Sequence, residues 1–142
     1  MLNNASKFVL TGLFLLAQYA HAEDRSVWQG VYVLEQADRG KALFTQHCVA
    51  CHTDEPGKVA GHGPAPQVFG ADFEFRWIDA SVLDVLDLVR QTMPEAAPNS
   101  LSLDEYGDLT AYILQLNGYP VGEILDPRDR VGLENIFIEP EG

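Results

Sequence analysis

The chain has 142 residues and only two cysteines, Cys48 and Cys51, which stand three positions apart with His52 directly after them. A disulfide between them would close too short a loop to restrain much of the unfolded chain. The thiols are therefore read as chemistry and not as framework. The run Cys48-Val49-Ala50-Cys51-His52 has the C-x-x-C-H spacing of c-type haem attachment. Two thiols one helical turn apart can each add to a vinyl group on the same edge of a porphyrin, giving two thioethers. The adjacent imidazole is then held under the ring, where a nitrogen can bind iron. Two other chemistries use such a pair. A thioredoxin-like redox centre needs a βαβ context, and no alternating strand run precedes Cys48. A zinc site needs four ligands; His47, His52 and His62 could supply nitrogens, but the second paired cluster of a zinc ribbon is missing from the sequence. One covalently bound haem c is the expected cofactor.

An iron held on one side by His52 takes a sixth ligand or leaves an open site. Apart from Met1 the chain has one methionine, Met93, directly before Pro94. A lone methionine is ordinarily core filler. Here a helical pattern ends just before Met93, and Pro94-Glu95-Ala96-Ala97-Pro98-Asn99 cannot continue it, so Met93 falls on a loop. Met93 is favoured as the axial ligand opposite His52. His62, in Gly61-His62-Gly63-Pro64, is the competitor and would make a bis-histidine site. His47, beside Cys48, is poorly placed for the far face.

The elements that must position these groups read as helices. A first helix is expected from about Glu35 to the haem motif, with Ala37, Gly40, Leu43 and Phe44 at helical spacing. Ser81 with Asp84 announces a second, and Val82, Val85, Leu86 and Val89 fall on one face of it. Ser102 with Glu105 opens a third, carrying Tyr106, Leu109, Tyr112, Ile113 and Leu116 and stopping at Asn117-Gly118. No segment alternates long enough to be a strand. A loop rich in glycine and proline is expected from Gly57 to Gly70, followed by an aromatic cluster of Phe69, Phe73, Phe75 and Trp77 as core or cofactor contacts. The fold class is all-α.

Lys7, the apolar run Phe8 to Ala17 and the close Ala20-His21-Ala22 describe a secretory signal peptide cut after Ala22. The uncharged stretch from Phe8 to Ala22 is shorter than the roughly 20 residues of a bilayer span, so the mature chain is expected without one. Its place is then the periplasm. The chain holds 9 Lys and Arg against 21 Asp and Glu, a net charge of −12. Cleavage removes Lys7 and no acid, leaving −13. A surface this acidic repels polyphosphate, which argues against nucleic acid and anionic lipid as partners. It suits a partner with a basic docking patch, and equally it suits plain solvation.

Taken together, Gln36-Ala37-Asp38-Arg39-Gly40-Lys41-Ala42-Leu43-Phe44, the haem pentapeptide, Thr92-Met93-Pro94, and the run from Leu101 to Pro120 resemble a class I c-type cytochrome. From Tyr32 to Pro120 the chain is similar to the cytochrome modules that accompany quinoprotein (PQQ-type) dehydrogenases. The resemblance implies three main helices and loops wrapped around one haem, with first and last helices crossing at Gly40 against Phe44, Leu109 and Tyr112. It also implies a proline carbonyl accepting the proton of the ligand imidazole, a role that fits Pro64. Pro66 departs from the family, which usually has an apolar residue such as leucine there. The organisation that follows is a leader at 1–22, a lead-in at 23–34, the cytochrome domain at 35–120 and an extension at 121–142. In that extension Ile136-Phe137-Ile138 is expected to dock on the body or on a partner. Two function classes follow. One is an electron carrier or subunit, without catalytic residues, passing single electrons from a periplasmic dehydrogenase to a terminal acceptor. The other is a haem enzyme or sensor with an open or bis-histidine distal site.

Overall fold

The computed structural model describes residues 23–55, 58 and 65–141. The expected leader, His62 and Pro64 lie outside the described residues. Helix α1 spans Leu34–His47, α2 Ala71–Trp77, α3 Val82–Thr92, α4 Leu103–Leu116 and α5 Arg130–Glu134. The two strands, β1 Arg25–Ser26 and β2 Ile136–Phe137, have two residues each, and they pair in parallel. The all-α expectation therefore holds, with one short ribbon joining the two ends of the described chain.

Both expected capping boxes are present. The Ser81 hydroxyl accepts from the Asp84 N–H at 3.1 Å while the Asp84 carboxylate accepts from the Ser81 N–H at 2.9 Å. Ser102 and Glu105 make the same exchange at the head of α4, at 3.3 and 2.7 Å. Each box satisfies two of the N–H groups that a helix start leaves without partners. Helix α4 is buried continuously from Tyr106 to Leu114, so it is the central helix of the fold.

Helix α1 crosses α4 where Gly40 lacks a side chain. A Cβ at Gly40 would overlap the Asp108 backbone and stand 2.8 Å from the Tyr112 Cβ. Phe44 meets Tyr112 edge to face one turn further on, with ring centroids 5.6 Å apart. Arg39 closes the crossing with two hydrogen bonds of 2.7 Å to Asp108. The carboxylate in that pair is nearly buried and the guanidinium half exposed.

One region differs from the sequence expectation, and in another, the extension, docking on the body is the one of two expected outcomes that is found. The aromatic run after Gly70 is a helix of its own, α2, and its rings part company. Phe73 and Trp77, four residues apart, share the inner face with centroids 6.4 Å apart, while Phe75 projects outward and is 91% exposed. The described part of the extension, 121–141, packs on the body. Leu125, Leu133, Ile136 and Ile138 are all buried. Gln36 of α1 bonds both backbone groups of Leu125, accepting from its N–H and donating to its carbonyl at 2.8 Å each. The extension is thus part of the same core as residues 35–120.

Candidate functional site

Cys48 caps the C-terminal end of α1, and the chain continues in one more turn that returns the Cys51 and His52 N–H groups to the Cys48 carbonyl at 3.1 and 2.8 Å. That turn sets both thiols and the imidazole side by side. Both cysteines are free and half-buried. The His52 Nδ1 lies 3.0 Å from the Pro66 carbonyl oxygen. A carbonyl can only accept, so this contact places the proton on Nδ1 and leaves the Nε2 lone pair free for a metal. The position expected of Pro64 lies outside the described residues; the carbonyl found against His52 belongs to Pro66.

The segment bearing Pro66 is held by the far end of α4. Asn117 donates to the Val68 carbonyl at 3.0 Å and accepts from the Gly70 N–H at 3.0 Å. In the sequence Asn117 reads only as part of a helix stop. Nothing local marks it as a clasp, because its partners lie 49 and 47 positions away.

Met93 terminates α3 in an extended conformation, as the residue before a proline prefers. Its carbonyl accepts from the buried Tyr106 hydroxyl at 2.9 Å. The loop that follows is closed by Arg90, which donates to the Asn99 side chain at 2.9 Å and accepts from the Asn99 N–H at 3.0 Å. Between the haem motif and this loop lie two adjoining cavities of about 310 and 280 Å³. His52, Pro66 and Met93 line both. Cys48 and Cys51 border the first; the second is walled by Phe73, Val85, Leu88, Val89 and Ile113 and borders on Arg76 and Trp77. Cys48, Cys51 and His52, neighbours in the sequence, thus meet the distant Met93 at this one cleft.

Burial pushes the Cys48 thiol up to about 11, and the neighbouring Cys51 adds to the effect. A thiol-disulfide centre requires the opposite, a thiol whose pKa is lowered. Among the described residues no three His, Cys, Asp or Glu side chains converge to hold a metal ion. The raised Cys48 thiol thus speaks against the redox pair, while His62, one of the zinc candidates, lies outside the described residues. A family model described as cytochrome c oxidase, cbb3-type, subunit III matches residues 35–113, more than half of the chain. The chain belongs to this c-type cytochrome family. No curated protein and no solved structure matches it.

As a c-type cytochrome the protein is an electron carrier that binds haem c and works with redox proteins. The cleft fits that group in kind. It offers two thiols at vinyl-capturing spacing, an imidazole with its tautomer set, a thioether, and an apolar second half, which together match the edge, the iron and the face of a porphyrin. None of the described helices is long and apolar enough to cross a membrane.

Proposed function

We propose that the chain is a periplasmic monohaem cytochrome that takes single electrons from a dehydrogenase of the quinoprotein class and passes them to a terminal acceptor. The observation that carries the reading is the meeting of Cys48, Cys51, His52 and Met93 around one largely apolar cleft. In this reading Cys48 and Cys51 would hold the haem through thioethers, and His52 and Met93 would supply its iron ligands. A haem bound there would supply one-electron chemistry at its iron, and the Met93 thioether would favour the ferrous form. The protein's own contribution is rigidity. Pro66 orients His52, Tyr106 fixes the Met93 backbone, and the apolar wall keeps water from the iron, so reorganisation between the two states is small.

The acidic balance of 21 Asp and Glu against 9 Lys and Arg favours a donor that docks through a basic patch. Export through the leader at 1–22 accounts for the compartment. Coexpression with a haem-attachment system should give a protein that retains haem on a denaturing gel. Cys48→Ser combined with Cys51→Ser should lose it, and the mature N-terminus should be Glu23. Reduction by a quinoprotein dehydrogenase should slow as salt rises, because screening weakens the steering. Haem that leaves the wild-type chain in acidified organic solvent would overturn the attachment. A reduction rate indifferent to salt would overturn the basic docking patch. Carbon monoxide binding to the untreated ferrous protein would instead favour an open-site enzyme or sensor.

A further inference from the structure

We infer that the outward face of α2, centred on Phe75, is a docking surface for the redox partner, and that the partner meets it with an apolar socket rimmed by Lys and Arg side chains. The inference rests on the electron-carrier reading above and locates the contact that this reading leaves open. Phe75 is 91% exposed, and among the described residues it is the one exposed aromatic. Ile78, three positions on and so beside it on the helix surface, is exposed as well. Aromatic rings are the usual anchors at the centre of protein interfaces, where a partner takes them out of water. The inner face of the same helix carries Phe73 and Trp77, which wall the second cavity. A partner seated on Phe75 therefore stands one helix diameter, about 10 Å, from the cleft.

The charges around the ring say what kind of partner fits. Asp72 lies one turn before Phe75, Glu74 directly before it, and Asp79 just past the helix end. All three are exposed, and none has an ion-pair partner among the described residues. Elsewhere Asp87, Asp104, Asp108 and Glu123 are taken up by arginines. The segment 71–79 holds these three acids against one base, Arg76. An apolar centre in an acidic surround is complementary to an apolar centre in a basic one. It is not complementary to itself, because two copies placed ring to ring would bring like charges together between chains that each carry an excess of acids. The helix is also fixed at both ends, which lowers the cost of ordering it on binding. Asn117 accepts from the Gly70 N–H at 3.0 Å, and the Asp79 N–H donates to the Ile138 carbonyl at 2.9 Å.

The test uses the haem-loaded protein and a purified quinoprotein dehydrogenase as the probe. Two quantities are read, the Kd of the complex at low salt and the protection of segment 71–79 from hydrogen exchange when the dehydrogenase is added. That segment should be protected in the wild-type complex. Phe75→Ser should weaken binding about tenfold, the loss expected of an interface anchor. Phe75→Leu should recover most of it, and Val131→Ser, which removes another exposed apolar side chain from α5, should change nothing. Phe75 lies outside the core, so its variants should melt like wild type. Asp72→Asn with Glu74→Gln and Asp79→Asn should flatten the salt dependence of binding more than Glu35→Gln with Asp38→Asn and Glu134→Gln, which remove the same charge elsewhere. Wild-type affinity in Phe75→Ser, or a segment 71–79 left unprotected in the wild-type complex, overturns the docking surface and leaves the carrier reading intact. Equal effects from the two triple variants overturn the basic rim. A dehydrogenase that neither binds nor reduces the wild type overturns the partner in the functional reading, and this inference with it. A wild-type dimer that Phe75→Ser breaks makes a second copy the occupant and overturns the basic partner.

Discussion

Met93 is held by its backbone. The Tyr106 hydroxyl donates to its carbonyl from within the core, and Tyr106 is completely buried. On the proposed ligation this bond decides how firmly the thioether stays over the iron. Tyr106→Phe keeps the ring and removes only the donor, at a cost of about 1 kcal/mol. Its weak far-red sulfur-to-iron band should therefore vanish at a lower temperature than in wild type. Met93→Ala should lose that band entirely, lower the potential and admit carbon monoxide. Met93→His should lower the potential while remaining six-coordinate, which separates the identity of the ligand from the opening of the site. An alanine variant with unchanged spectrum and potential would return Met93 to core filler. His52 has a comparable support in the Pro66 carbonyl, itself held on a segment that Asn117 clasps.

At the level of elements, the crossing of α1 and α4 depends on a missing side chain. A Cβ at Gly40 would collide with the backbone of Asp108, which cannot swing aside as a flexible side chain could. Gly40→Leu should cost about 3 kcal/mol, the upper end of ordinary overpacking, and lower the melting temperature by roughly 10 °C. A thermal melt of the haem-bound variant checks this, and a wild-type melt would refute the close contact. This crossing was legible only through the family resemblance, because a glycine at helical spacing from Phe44 does not itself say which helix approaches it. The starts of α3 and α4 were legible in the residues themselves, since a capping box is complete within four residues. Helix α2 was not. At seven residues it is too short for periodicity to separate a helix from a loop of aromatics, and the outward turn of Phe75 follows only once the helix is known. The Tyr106 and Asn117 contacts were equally hidden, because a tyrosine or asparagine on a helix carries no local mark of a partner elsewhere in the chain. Cys48, Cys51 and His52 were the reverse case, with their whole signal inside five residues.

At the scale of the molecule, the extension from Val121 onward acts as a strap, and its ion pairs give the strap a pH dependence. Its buried residues Leu125, Leu133, Ile136 and Ile138 bring it to the body. Gly122 donates to the Tyr32 carbonyl at 2.8 Å and Glu123 to the Gly30 carbonyl at 3.1 Å, so the strap lies against the lead-in. Further on, Ile138 exchanges backbone hydrogen bonds with Ala80 and Asp79 at the junction of α2 and α3, which joins the helix carrying Arg76 to the helix ending at Met93. Ile138→Ala should therefore destabilise by about 2–5 kcal/mol, the usual range for emptying a buried aliphatic site. The exposed contacts act differently. Arg128 pairs with Asp104 of α4 and Arg130 with Asp87 of α3, and hydrogen bonds from the two guanidinium groups hold both carboxyls below the ordinary carboxylate range. A carboxyl whose pKa is lowered by folding stabilises the fold fully above its unfolded value, near 4, and loses that contribution as the pH falls through its folded value. The Arg128–Asp104 pair is solvent-exposed and Asp87 only partly covered, so screening by water keeps both contributions small. Arg128→Ala with Arg130→Ala should thus be slightly less stable than wild type at neutral pH, and the gap should close once the pH drops below the folded values. The gap should narrow in high salt as well. Ile138→Ala should keep its deficit under both conditions, because burial does not titrate. Chemical denaturation of the three proteins at neutral and acid pH checks this, and a double-arginine gap that widened on acidification would show that these pairs do not fasten the strap.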